Sequence, residues 1–281
     1  MKSNLRKQVL QWATCESETM LLSVAAEKAL AEEFGLSRRD VQIAAVENRV
    51  LPMRYERSLG TVGWDGQLAL LRATVGIVGL GGLGGWIVEG LARMGVGRLI
   101  LIDGDTFAES NLNRQALSCE SNIGQPKTDA AVQRVAEVNP AVETVAHTVW
   151  ADADSLPGLL AGANVAVDAL DTMSARFMLQ RAAQNLGIPL VHGAIAGYIG
   201  QVMTIFPGDA GLFGLYPDGK APERGAETVW GNPAATPMMI AAWQIHEVVK
   251  ILTGRGQPLR HRMLFMDAEQ GIIETLRLGE G

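Results

Sequence analysis

Between Ala73 and Gly95 the chain reads ATVGIVGLGGLGGWIVEGLARMG: an apolar run, a cluster of glycines, then apolar residues at helical spacing. Few folds accept that order. The run predicts a strand buried on both faces, and Gly79, Gly81, Gly82 and Gly84 permit a tight turn into a helix. Free N–H groups at such a helix start, backed by the helix dipole, favour a phosphate. Asp103 follows 19 residues after Gly84 and ends a second apolar run, RLILID. A carboxylate there accepts hydrogen bonds from ribose hydroxyls. The combination predicts a nucleotide-binding turn without separating NAD, FAD, SAM and ATP. The competing reading assigns the glycines only to close helix–strand packing.

The pattern continues as alternating buried strands and helices. ATVGIVG, GRLILID, AVETVAHTV, ANVAVDAL and IPLVHGA read as strands, with GQVMTIF continuing the sheet. LGGWIVEGLARMG, KTDAAVQRVAEVN and MSARFMLQRAAQNLG read as helices between them. That order predicts an α/β fold, a Rossmann-like, mostly parallel sheet with helices on both faces. Pro and Gly dominate residues 207 to 237, which predicts a long exposed loop. PMMIAAWQIHEVVKILTG then predicts a helix, and two short strands, expected to be antiparallel, end the chain.

Residues 1 to 53 form an extension expected to be helical. SETMLLSVAAEKALAEEF carries apolar residues at helical spacing and stops at Gly35. SRRDVQIAAVENRVLP restarts with Ser37 as N-cap and Asp40 three residues on, and Pro52 is expected to end it. The pair has the look of a helix-turn-helix. Yet the first 50 residues hold seven Lys/Arg and seven Asp/Glu, and the whole chain carries a net charge of -6. A DNA or tRNA partner needs a basic face, so a helical brace on the main body is the better reading.

Two cysteines, Cys15 and Cys119, make no disulfide framework, and no secretory leader is read at the start. The uncharged, glycine-rich run Ala73 to Val88 holds 16 residues and six glycines, too short and interrupted for a membrane helix. A soluble cytoplasmic protein is expected.

Beyond Asp103 the chain reads DGDTFAESNLNRQ, and GQPK ends in Lys127, 12 residues after Gln115. Dinucleotide chemistry has no use for two cations there. A carboxylate attacking the α-phosphorus of ATP builds negative charge on phosphoryl oxygens and departing pyrophosphate, which fixed cations stabilise. Arg114 can fork onto phosphate oxygens and Lys127 can act as a point charge, while Asn111 and Gln115 can hold phosphate or sugar.

RYER (54–57), GLGGLGG, LIDGD, SNLNRQ, GQPK, VDALD and GQVMTIF resemble, in order and spacing, the ThiF/MoeB/HesA family. Its members are relatives of the adenylating domain of ubiquitin-activating enzymes. The resemblance covers about residues 52 to 270 and implies an adenylyltransferase domain over 54–281. Within it lie a nucleotide-binding part (73–206), a crossover loop (207–237) and a C-terminal helix with strands (238–281). It implies adenylation of the C-terminal glycine of a small ubiquitin-like sulfur-carrier protein of the MoaD or ThiS type, Mg2+ with ATP, and a homodimer. By the same resemblance the nucleotide is held by Gly79, Gly81, Gly82, Gly84, Asp103, Asp105, Asn111, Arg114, Gln115 and Lys127. Asp171 becomes the Mg2+ carboxylate and Arg57 reaches the neighbouring subunit's ATP. Taken alone, Arg57 reads as a surface ion-pair residue and Asp171 equally well as a helix N-cap.

The chain departs from the family in three places. Gly211 and Gly214 of GLFGLYP stand where the first zinc cysteine pair is expected, and LRLGEG ends the chain where the second belongs, so no zinc is expected. Val229 stands where relatives use a crossover-loop cysteine, which excludes a covalent intermediate at that position. The usual Asp-Asn pair reads Asp171-Thr172. Other readings stay open: adenylation of a different carboxylate, as in the dehydratase that cyclises threonylcarbamoyl-adenosine in tRNA, or a nucleotide-binding scaffold without catalysis.

Overall fold

The structure is a computed structural model that describes residues 2–16, 18–217, 221–222 and 225–279. The extension comprises α1 (Lys2–Trp12), β1 (Thr14–Glu16), β2 (Thr19–Leu22), α2 (Val24–Phe34), α3 (Arg38–Glu47) and β3 (Val50–Pro52). The main body follows with α4 (Glu56–Arg72), β4 (Thr74–Val78), α5 (Gly82–Met94), β5 (Arg98–Ile102), α6 (Lys127–Val138) and β6 (Glu143–His147). It continues through α7 (Leu156–Leu159), β7 (Val165–Asp168), α8 (Met173–Leu186), β8 (Leu190–Ala196) and β9 (Ile199–Ile205). The chain closes with α9 (Leu212–Leu215), α10 (Glu227–Trp230), α11 (Ala235–Thr253), β10 (Arg262–Asp267) and β11 (Ile272–Arg277).

The large sheet has the order β11-β10-β9-β8-β7-β4-β5-β6. Strands β8, β7, β4, β5 and β6 run parallel; β9, β10 and β11 add antiparallel pairings at one side. Strand alternation explains why β4, β5 and β7 read as unbroken apolar runs. Val75, Ile77, Leu99, Leu101, Val165 and Val167 face α5, α6 and α11, whereas Val78, Ile100, Ile102 and Ala166 face α7 and α8. Both faces are covered, so neither can be polar. The chain leaves β4 toward β5 and β6, then returns to place β7 on β4's other side. That reversal opens a crevice at the strands' C-terminal ends, where α/β folds bind ligands.

The extension is not wholly helical. Residues 19–22 pair as β2 with β1 antiparallel and with β3 parallel, so the helix expected from Ser17 starts only at Val24, capped by Ser23. Met20, Leu21 and Leu22 fit a helical period, but a three-residue apolar run fits a strand equally well. Gly35 does cap α2 in the left-handed conformation, and Ser37 caps α3 by accepting from Asp40 N. Pro52 ends β3 and not the helix, which stops at Asn48. The residues of the apparent helix-turn-helix are engaged within the protein. Arg38 donates to the buried Glu27 at 2.5 Å, and Arg39 donates to Leu71 O at 2.9 Å. The expected loop 207–237 contains the short helices α9 and α10 and the first turn of α11. No helix among the described residues is long and apolar enough to cross a membrane.

Candidate active site

A cavity of about 670 Å³ lies at that crevice, lined by the loops that follow β4, β5, β6 and β7. That volume suits a small-molecule site. Gly79, Gly81 and Gly82 line it. Gly79 has φ +93°, and a Cβ there would stand 2.5 Å from Ala169 O; one on Gly84 would stand 2.0 Å from Gly79 O. Those two glycines therefore let the turn pack against β7's loop and close on itself. Gly81 is the N-cap of α5 with no side-chain bond, so the first N–H groups of the helix are left for a ligand.

The SNLNRQ segment lies across that helix start. A Cβ on Gly81 would meet the Gln115 amide at 3.5 Å, and one on Gly82 would meet Arg114 Cγ at 3.9 Å. Arg114 donates through Nη1 to Ser110 O and Asn113 Oδ1, both at 2.9 Å. No carboxylate pairs with it among the described residues. Gln115 is buried, and among the described residues its Oε1 has no hydrogen-bond partner. Asn111 turns its amide the other way: Oδ1 accepts from Ala108 N at 3.0 Å and holds the loop, without lining the cavity.

Asp103 accepts from Leu80 N at 2.6 Å and from Asp105 N at 2.8 Å, so it clamps the glycine turn while each oxygen keeps a free lone pair. Burial raises its pKa, offset in part by those two N–H groups. Lys127 is 5% exposed and donates to Asp105 Oδ2 at 2.6 Å. Burial would lift the Asp105 carboxyl, but the bond and charge of Lys127 outweigh it and hold the pKa below the usual value. Asp171 is exposed on the cavity wall and has no partner among the described residues; the N-cap of α8 is Thr172. Arg57 is exposed in the first turn of α4 and does not line this cavity.

A family model described as "ThiF family" matches residues 55–280. The chain belongs to the ThiF family. This ThiF-family chain is 36% identical over 228 residues to the SAMP-activating enzyme E1 of Haloferax volcanii, covering 79% of this chain and 84% of that one. It is 34% identical over 228 residues to the molybdopterin-synthase adenylyltransferase of Salmonella typhimurium, covering 77% and 88%. With the sulfur carrier protein ThiS adenylyltransferase of Escherichia coli it shares 35% over 217 residues, covering 76% and 86%. The crystal structure of Escherichia coli MccB with ATP superposes with TM-score 0.68 at 20% identity, covering 91% of this chain and 83% of that one. That likeness confirms the fold.

The cavity also holds residues that sequence reasoning missed. His192, Arg176 and Gln201 line it, with Trp150, 77% exposed, at the rim; the fully buried Asp168 stands behind the wall and joins the buried His192 at 2.6 Å. A titratable ring inside the apolar strand IPLVHGA was the signal available for His192. Where the resemblance puts the first zinc cysteines, Gly211 and Gly214 lie in a segment fastened otherwise. Gln180 of α8 bonds Ala210 O and Leu212 N, Phe177 stacks on Phe213 at 4.9 Å, and Arg260 grips Asp209 at 2.7 Å. Among the described residues no three His, Cys, Asp or Glu side chains gather as a metal site.

Proposed function

We propose that this chain adenylates the C-terminal glycine carboxylate of a small ubiquitin-like sulfur-carrier protein of the MoaD/ThiS type, using ATP. One observation carries the reading. Arg114 and Lys127 line the same cavity as an uncapped helix start and Asp103, a set that hydride transfer does not require. The names of the relatives, a SAMP-activating enzyme and adenylyltransferases for molybdopterin synthase and ThiS, agree with it.

In the reaction, a carboxylate oxygen of the carrier attacks the α-phosphorus of ATP. The bond to the bridging oxygen of pyrophosphate breaks, leaving an acyl-adenylate and pyrophosphate. The N–H groups opening α5 and the unpaired Gln115 amide oxygen hold the nucleotide, and Asp103 takes the ribose hydroxyls. Arg114 and Lys127 stabilise charge that grows on the phosphoryl oxygens, where fixed donors are worth most. A lone exposed carboxylate, Asp171, fits Mg2+, which prefers oxygen and is commonly shared with phosphates. When bound, the ion neutralises charge on the leaving pyrophosphate. Arg57, outside its own cavity, serves a second subunit's ATP in a homodimer. Val229, 83% exposed, offers no nucleophile, so the acyl-adenylate passes directly to another protein's sulfur donor or amine. We place the reaction in the cytoplasm, in keeping with the exposed, unpaired Cys15 and Cys119.

Exchange of labelled pyrophosphate into ATP tests the reading. Exchange should require a small protein ending in Gly-Gly. ATP binding with no exchange for any such carrier would reject it.

A further inference from the structure

Asp168 ends β7 and His192 lies opposite it in the register of β8. Neither has exposed surface, and His192 Nδ1 is 2.6 Å from Asp168 Oδ2. Asp168 also receives the Leu170 N–H at 3.0 Å, and the Arg176 guanidinium stands 3.9 Å from Oδ2. Both of these neighbours are donors, so the Asp168 carboxylate serves as an acceptor. The proton between the two residues is therefore on His192 Nδ1. Burial disfavours a second proton on the ring more strongly than Asp168 favours it. The imidazole is neutral, and its Nε2 carries a bare lone pair.

The group facing that lone pair is the side-chain amide of Gln201, with Nε2 at 3.3 Å. A lone pair accepts only an N–H. The NH2 end of Gln201 must point to the ring and the carbonyl end away from it. Gln201 lines the cavity, and among the described residues its Oε1 has no hydrogen-bond partner. Asp103 and the glycine turn build the nucleotide half of the cavity after β4 and β5. Gln201 stands on β9, beyond β7 and β8, beside the small residues Ala194 and Gly200.

We propose that Gln201 Oε1 accepts a hydrogen bond from a backbone N–H of the substrate's C-terminal peptide, its amide held in that orientation by Asp168 and His192. The premise is the adenylation reading above, in which a peptide tail enters this half of the cavity. Each N–H of that tail needs an acceptor once it leaves water. Gln201 supplies one that no described residue consumes.

Stable acyl-adenylate mimics test this on the full chain. The probe is acetyl-Gly-Gly linked to adenosine through an acyl-sulfamate, together with two analogues in which each peptide nitrogen is methylated in turn. The wild-type protein should bind the parent at least about tenfold more tightly than one of the methylated analogues, the worth of one such bond. Gln201→Met should bind those two within about twofold, with ATP affinity measured as the check on folding. Equal discrimination in both proteins, or none in the wild type, overturns the proposal. Binding of the parent no tighter than AMP overturns the adenylation reading instead. The nitrogen resonances of a labelled His192 ring provide a second readout without ligand. Nδ1 should be protonated and Nε2 bare; a protonated Nε2 overturns the assigned role of the pair.

Discussion

Lys127 Nζ donates to Asp105 Oδ2 across 2.6 Å, although Lys127 is the first residue of α6, where a helix dipole opposes a cation. A buried ammonium in that position serves something other than the helix. Asp105 is 45% exposed along its side chain, so the pair holds the ammonium at the cavity wall without sealing it there. Lys127→Met should lower carrier-dependent pyrophosphate exchange by about 10² to 10³, the cost of one fixed donor to a developing anion. The melting temperature should fall little, because Asp105 can be rehydrated. Its depressed pKa means that the pair persists above the ordinary carboxylate range and is lost only as acid protonates Asp105 below it. An exchange rate within threefold of wild type would remove Lys127 from the phosphate site.

Arg114 makes two bonds to acceptors of its own loop and none to a carboxylate. Its charge is therefore uncompensated within the described structure. Arg114→Ala should abolish exchange while ATP affinity falls only modestly, because the guanidinium acts mainly on charge that appears in the transition state. The measurement is exchange rate beside equilibrium ATP binding. Parallel loss of both would make Arg114 a ground-state binder.

The parts of this site that were legible in the sequence share a local cause. Glycines, an acid at a strand end and cations on following loops are contiguous segments, each read from its own residues. Strands β4, β5 and β7 were visible because burial on both faces writes an uninterrupted apolar run. What escaped is non-local. Asp168 and His192 are 24 residues apart and meet only through the register of β7 and β8. Gln201 reaches the ring because His192 pairs with Met203, two residues further along β9. Residues 19–22 were misread for the opposite reason: too few residues to reveal a period, and partners in β3 that lie 30 residues on.

Arg57 stands exposed outside the cavity of its own chain. If it serves a neighbour's ATP, subunits carrying Arg57→Ala and subunits carrying Lys127→Ala should each be inactive alone. Mixed into heterodimers they should recover activity, since one of the two sites then has both cations. The check is exchange activity of purified heterodimers against each homodimer. No recovery would confine Arg57 to a surface role.

Tyr55 joins the extension to the main body through a buried chain of hydrogen bonds. Its hydroxyl donates to Gln42 Oε1 at 2.9 Å and accepts from Asn139 Nδ2 at 3.0 Å, while Gln42 donates to Glu27 at 2.9 Å. Tyr55→Phe should cost about 1 to 3 kcal/mol, because Gln42 Oε1 is left buried without a donor. Burial, opposed by the Asn139 bond, pushes the Tyr55 pKa from 10.0 to about 12. The folded state thus favours the neutral phenol. That contribution is complete below about pH 10 and disappears as pH rises toward 12, amounting to about 2 to 3 kcal/mol over the window. Urea unfolding of both proteins from pH 8 to 11 separates this term from every other titration. The wild type should lose its advantage over Tyr55→Phe as the solution turns alkaline, and a constant difference would show that the hydroxyl is not buried as described.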